Sequence, residues 1–145
     1  MRTKRIYRLY MLRLDWLNKE RRKMLSITKK FDFCYGHHLP DHKGKCRHQH
    51  GHNSVLEVEL IPTNITSQLC DYEGMIIDFG DMKRLVNETV IDKLDHHYLN
   101  DLIETPTAEN LVKWVVQELE NVFGYSLQRV RIYETPTSYA EWRSD

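Results

Sequence analysis

His50-Gly51-His52-Asn53-Ser54-Val55-Leu56-Glu57-Val58-Glu59-Leu60 reads, at its even positions, His, His, Ser, Leu, Val, Leu. Side chains two apart project to the same face of a strand, so the stretch predicts a half-buried strand whose inward row begins with two histidines. Just upstream, Cys46-Arg47-His48-Gln49 sets a thiol four residues ahead of this His-x-His pair. Residues 27 to 37 alternate as well: Ile27, Lys29, Phe31, Phe33, Tyr35 and His37 share a face, opposite Thr28, Lys30, Asp32, Cys34 and Gly36. A hairpin through the loop Pro40 to His48 would bring His37 beside His50 and His52. Three neutral imidazoles on zinc leave the fourth tetrahedral position open, which is the catalytic kind of site. A nearby cysteine not needed as a ligand, Cys46, is then a candidate acid/base or nucleophile. The competing reading is a solvated His-rich loop that picks up metal by accident, because His42, Lys43, Gly44 and Lys45 all have loop character.

Downstream, a polar connection from Pro62 to Gly74 leads to the apolar entry Met75-Ile76-Ile77. Asp78 is placed to N-cap a helix, with Asp81 in its first turn where negative charge is favoured. Met82, Leu85, Val86, Val90 and Leu94 follow helical spacing. A second helix opens at Thr107, carries Leu111, Trp114, Val115, Leu119 and Val122 as its buried stripe, and ends at Gly124. Two strands close the chain; Val130, Ile132 and Glu134 share a face of the first, and the second runs from about Ser138 to Arg143. The expected class is α+β, in the order β-β-α-α-β-β: a four-stranded antiparallel sheet with two helices on one face. Such a sheet leaves edges open, and pairing them between subunits is the economical outcome.

Bulk properties bound the answer. At 145 residues, with 41% hydrophobic and 29% charged side chains, the chain is expected to hold one globular domain. No apolar run approaches the length that spans a bilayer. The cysteines Cys34, Cys46 and Cys70 are an odd, scattered set, which favours a reducing compartment, the cytoplasm. The net charge of zero hides an asymmetry: residues 1–30 hold eleven Lys/Arg against two Asp/Glu, and the remainder ten against nineteen. Residues 1–25 are set apart as a basic extension from a domain at 26–145. The extension is read as a disordered or loosely helical segment, or as a mis-called start with Met24 as the real first residue; a nucleic-acid or subunit-contacting arm is the less favoured reading.

Other residues suggest chemistry. In Asp95-His96-His97 an acid beside an imidazole can fix its tautomer and move protons; the same residues can simply terminate a helix. Glu134 lies in line with Val130 and Ile132, where a carboxylate is costly unless paired. A ligand edge with two adjacent N–H donors would pair it bidentately; alternatively it lies beyond the sheet in solvent, since Thr135-Pro136 follows. Cys34 is read as packing or idle, Cys70 carries no assignment, and His38, His42, His48 and His97 are surplus to a three-ligand site.

Together these residues resemble the 6-pyruvoyl-tetrahydropterin synthase superfamily, from Phe31 to about Trp142. Phe31-Asp32-Phe33-Cys34-Tyr35-Gly36-His37-His38-Leu39-Pro40 is similar to the family's first strand, and His50-Gly51-His52 to its zinc motif. Gly74 to Phe79, Leu94 to Asn100, Pro106-Thr107-Ala108-Glu109-Asn110 and Tyr133-Glu134-Thr135 follow in the family's order. The short interval Cys46-x-x-x-His50 resembles the 6-carboxytetrahydropterin branch; the biopterin-pathway branch typically has a longer one. Gly36 departs from the alanine often found there, and the basic head has no counterpart in the family core.

The resemblance implies a tunnelling fold, assembled as a homohexamer (a dimer of trimers) with active sites between subunits. It implies zinc on His37, His50 and His52; Cys46 as catalytic thiol; Asp95 and His96 as its proton-handling partners; and Glu134, with Thr107, on the substrate side. The implied reaction converts 7,8-dihydroneopterin triphosphate to 6-carboxy-5,6,7,8-tetrahydropterin with release of acetaldehyde and triphosphate, toward queuosine and other 7-deazapurines. Two alternatives stay open: a 6-pyruvoyl-tetrahydropterin synthase that keeps the carbon chain, and a non-enzymatic zinc-stabilised binding module. A membrane partner is not expected, and nucleic acid is disfavoured.

Overall fold

The computed structural model describes residues 25–145. The basic extension read at residues 1–25 therefore lies outside the described residues, apart from Leu25. Strands β1 (Ile27–His37) and β2 (His50–Leu60) pair antiparallel, with Tyr35 opposite His52 and His37 opposite His50. A short helix α1 (Asn64–Gln68) follows. Helix α2 (Phe79–Val86) runs on through a π-helical turn (Asn87–Ile91) and a last turn (Asp92–Leu94). Then come a two-residue strand β3 (His97–Tyr98), helix α3 (Ala108–Phe123) and the antiparallel strands β4 (Leu127–Thr135) and β5 (Ser138–Arg143).

The sheet order is β3-β1-β2-β4-β5. The four expected strands are present and antiparallel; the correction is a fifth, β3, which lies parallel to β1 with Tyr35 opposite His97 and Gly36 opposite Tyr98. Two residues are too few to show alternation, so only the tertiary pairing reveals this strand. Helix α1 also lies in the stretch read as a polar connection. It is held by a capping box in which Thr63 and Thr66 each satisfy the other's backbone N–H.

The alternation has the expected result. Phe31, Phe33, Tyr35, Leu56, Val58, Leu60, Val130 and Ile132 are buried on the inner face, against Met82, Val86, Val90 and Leu94 of α2 and its extension and Leu111, Val115 and Leu119 of α3. Each such side chain contributes roughly 1.5–3 kcal/mol through removal from water. Asp78 caps α2 by accepting the N–H of Gly80 at 2.7 Å, and Thr107 caps α3 by accepting that of Asn110 at 3.2 Å. Gly124 ends α3 at φ 48°, where a side chain would be strained. The π-helical turn lets the adjacent Val90 and Ile91 both reach the core.

The outer face of the sheet is polar but partly closed. Lys30 Nζ lies 2.8 Å from Glu57, Arg129 Nε 2.9 Å from Glu59, and Arg131 Nε 2.6 Å from Glu141. This ladder allows Glu57 to be buried on a face that would otherwise be solvated.

Candidate metal centre

The end of β1 and the start of β2 bring three imidazoles together on the inner face. Nε2 of His37 lies 3.1 Å from Nε2 of His50 and 3.1 Å from Nε2 of His52. His37 Nδ1 donates to the carbonyl of Pro106 at 2.8 Å, and His50 Nδ1 donates to that of His48 at 2.7 Å. A carbonyl only accepts, so in the neutral rings the proton is fixed on Nδ1 and the Nε2 lone pairs of His37 and His50 are left bare and facing one another. Such lone pairs repel unless a cation stands between them. Backbone acceptors that orient the far nitrogen are the usual outer shell of metal-bound histidines. The three nitrogens therefore fit a first-row divalent metal.

Burial supports the same state. His37 is pushed below its usual value chiefly by burial, and His52 is lowered by burial against the opposing pull of Glu134. Tyr35, packed edge-on to His37, is buried enough to be pushed up to about 12 and so carries no charge into the cluster. At Gly51, between His50 and His52 on β2, an added Cβ would meet the Tyr35 carbonyl oxygen at 3.2 Å.

Glu134 reaches the cluster from β4. Its Oε1 lies 3.0 Å from His52 Nε2 and 3.9 Å from His37 Nε2, and the four groups offer ligand atoms all within 4.8 Å of one another. A pairing irregularity between Tyr133 and Thr135 turns this end of the strand. Of the two sequence readings, solvent beyond the sheet is not what the structure has: the carboxylate faces the imidazoles. A cavity of about 280 Å³ beside them is lined by His37, Thr107, Glu109, Glu134 and Tyr139. Thr107 and Glu134 thus share one pocket with His37.

The other expected residues lie elsewhere in the chain. Asp95 and His96 do pair, His96 Nδ1 donating to Asp95 Oδ2 at 3.0 Å. They stand beside Cys34, whose side chain alternates to the outer face of β1, opposite the face that carries His37. Asp95 Oδ1 accepts the Cys34 N–H at 2.9 Å, and Cys34 O accepts the His96 N–H at 2.7 Å. His96 is held at φ 60°, a backbone conformation that residues other than glycine adopt at a cost. The Asp95 carboxyl is held below its usual value first by the Cys34 N–H, and further by His96. Cys46 occupies a single turn of 3₁₀ helix (Lys45–Arg47), where its carbonyl accepts from Leu39 N–H at 2.8 Å. Among the described residues its thiol joins neither cluster of metal-binding groups.

A family model described as 6-pyruvoyl tetrahydropterin synthase matches residues 26–145. The chain belongs to this family. A 6-carboxy-5,6,7,8-tetrahydropterin synthase of Synechocystis sp. is 37% identical over 123 residues, covering 83% of this chain and 95% of its own length. A 6-pyruvoyl tetrahydrobiopterin synthase of Dictyostelium discoideum is 35% identical over 138 residues, covering 85% and 98%. The structure of Caenorhabditis elegans 6-pyruvoyl tetrahydropterin synthase superposes with a TM-score of 0.70 at 23% identity, covering 84% and 96%, and so shares the fold. The family assignment agrees with the order of motifs from Phe31 to Trp142.

Sequence reasoning missed two parts of the site. The carbonyls of Pro106 and His48 that set the histidine tautomers leave no side-chain signal. Cys34, read as packing or idle, has a backbone that holds both Asp95 and His96, and its thiol lies with them. The alternation of β1 already puts Cys34 off the aromatic face, but nothing local says that a segment 61 residues later returns to it.

Proposed function

We propose that the chain is a zinc-dependent lyase. It converts 7,8-dihydroneopterin triphosphate, with water, to 6-carboxy-5,6,7,8-tetrahydropterin, acetaldehyde and triphosphate, a step toward queuosine and other 7-deazapurines. The observation that carries the reading is the convergence of the His37, His50 and His52 nitrogens beside Glu134 and a pocket shared with Thr107. The name of the 37% identical Synechocystis relative and the short Cys46-to-His50 interval favour the carboxy product. The Dictyostelium relative supports a second reading, 6-pyruvoyl-tetrahydropterin formation by triphosphate elimination alone.

His37, His50 and His52 would hold the zinc, which when bound lowers the pKa of the substrate's side-chain hydroxyls and stabilises charge on them. Glu134 accepts the paired N–H edge of the pterin, and Thr107 lines the same pocket. Cys46 and the Asp95–His96 pair move protons to and from the side-chain carbons, Asp95 keeping His96 in its tautomer. The imidazole cluster lies on the inner face of β1 and β2, whereas Asp95 and His96, in the turn before β3, lie against Cys34, whose side chain is on the other face of β1. A pterin seated on the histidines of one chain therefore meets Asp95 and His96 of another. A homohexamer, as a dimer of trimers with sites between subunits, satisfies this need, and open strand edges supply the means of assembly. We place the enzyme in the cytoplasm, with residues 1–25 as an extension outside the catalytic domain; no described helix is long and apolar enough to cross a membrane.

The test is product mass after zinc-loaded protein meets 7,8-dihydroneopterin triphosphate. 6-Carboxytetrahydropterin with acetaldehyde supports the lyase. A product retaining the three-carbon side chain selects the second reading, and unchanged substrate removes both. Cys46→Ala should keep metal and pterin but lose turnover; near-normal turnover would take the thiol out of the mechanism.

A further inference from the structure

Cys34, Asp95 and His96 form a cluster separate from the three histidines, on the outer face of β1. A thiol sulfur, a carboxylate oxygen and an imidazole nitrogen lie within 4.8 Å of one another there. Donors around a tetrahedral zinc stand about 3.2–3.8 Å apart, given bonds of about 2.0–2.3 Å. Closing the cluster on an ion thus asks for movements of about 1 Å in side chains that have room for them.

Three features favour a ligand rather than chance proximity. The cluster is built by backbone contacts: Asp95 is fixed by the Cys34 N–H, and His96 by the Cys34 carbonyl in a strained φ. Strain of this kind persists where surrounding structure over-determines it, and it gathers at binding sites. Cys34 and His96 also border two surface grooves, of about 580 and 370 Å³, so that an ion has entry and water can complete its shell. The donor set of one sulfur, one nitrogen and one oxygen suits zinc and its neighbours over magnesium or calcium.

We propose that Cys34, Asp95 and His96 form a second divalent-metal site, weaker than the histidine centre, whose occupation takes the Asp95–His96 pair out of proton transfer. The ion replaces the proton shared between His96 Nδ1 and Asp95 Oδ2. The imidazole stays neutral by carrying its proton on Nε2, and the Cys34 thiol releases one proton to solvent as the sulfur–metal bond forms. Excess zinc then acts as an inhibitor of the protein that needs zinc.

Cobalt(II) alone is the probe, titrated into full-length protein stripped by a chelator, with stoichiometry and the near-ultraviolet thiolate-to-cobalt band as readouts. Wild type should take up two equivalents, the band growing with the second. Cys34→Ser should lose the band and the second equivalent while keeping the first, with an unchanged circular dichroism spectrum. Asp95→Asn should weaken the second equivalent about tenfold or more, and Cys46→Ser should retain both equivalents and the band. A single equivalent in wild type, or a band that survives Cys34→Ser, overturns the proposal. These readouts need no turnover, so they stand apart from the identity of the pterin product.

Discussion

The carbonyl oxygen of Pro106 and Nδ1 of His37 stand 2.8 Å apart across 69 residues of sequence. The contact joins the approach to α3 to the end of β1 and fixes which nitrogen of His37 is bare. It gives His37 a double role, since the ring is buried and also satisfies a buried acceptor. His37→Ala should therefore lose metal binding and also destabilise the chelator-treated protein by about 1–3 kcal/mol, the cost of an orphaned buried polar group. His50→Ala should lose the metal with a smaller stability change, because its Nδ1 partner, the carbonyl of His48, is exposed. Urea unfolding with a chelator present separates the two effects; equal stability losses would contradict this account.

Asn100 binds the backbone of His38 at both ends, accepting its N–H at 2.9 Å and donating to its carbonyl at 3.0 Å. It thereby holds the residue next to His37 where the β3 pairing stops. Asn100→Ala should weaken metal binding by up to about tenfold, the low end of what loss of a direct outer-shell partner costs, because Asn100 acts one residue away from His37, while the fold persists. Competition with a chromophoric chelator gives the affinity; an unchanged value would mean that β1 needs no clamp.

The φ of 60° at His96 predicts an unusual substitution order. His96→Gly and His96→Asn should both be near neutral for stability, since glycine and asparagine enter this region readily. His96→Val should cost about 1–2 kcal/mol, because a β-branched side chain fits the left-handed region poorly. Thermal unfolding of the three variants provides the ranking, and a stable valine variant would indicate that this turn relaxes.

Glu141 sets an acid limit on the outer face. Burial would raise its carboxyl, but hydrogen bonds from Arg143 and Arg131 outweigh this and hold it below 4.5. Its folded value is lower than its unfolded one, so its contribution is complete above about pH 4.5 and is lost as the pH falls through the folded value. Glu141→Gln should be less stable than wild type by about 1 kcal/mol at neutral pH. The gap should close in strong acid, and urea titrations at both extremes would expose a constant gap.

Legibility in the sequence followed the range of the interactions. Alternation placed Phe31, Tyr35, His37, His50, His52 and Leu56 on one face, because strand period is a local property. Asp78, Thr107 and Gly124 marked helix ends because capping acts within one turn. The Cys34–Asp95 bond escaped because it depends on a chain return from 61 residues away, and strand β3, which follows at once, depends on the same return. Glu134 fell between these cases: its inward direction was readable, but its approach to His52 depends on an irregularity in the pairing of β4 with β5.

In the proposed assembly each site takes its imidazole cluster from one chain and its Asp95–His96 pair from another, and this has a genetic consequence. A copy defective in its imidazole cluster still carries an intact Asp95–His96 pair, and a copy lacking His96 still carries an intact cluster. Co-expressed, His50→Ala and His96→Ala chains should assemble some interfaces that unite the two sound halves. Two dead alleles would then rescue one another, whereas two alleles damaged on the same face would not.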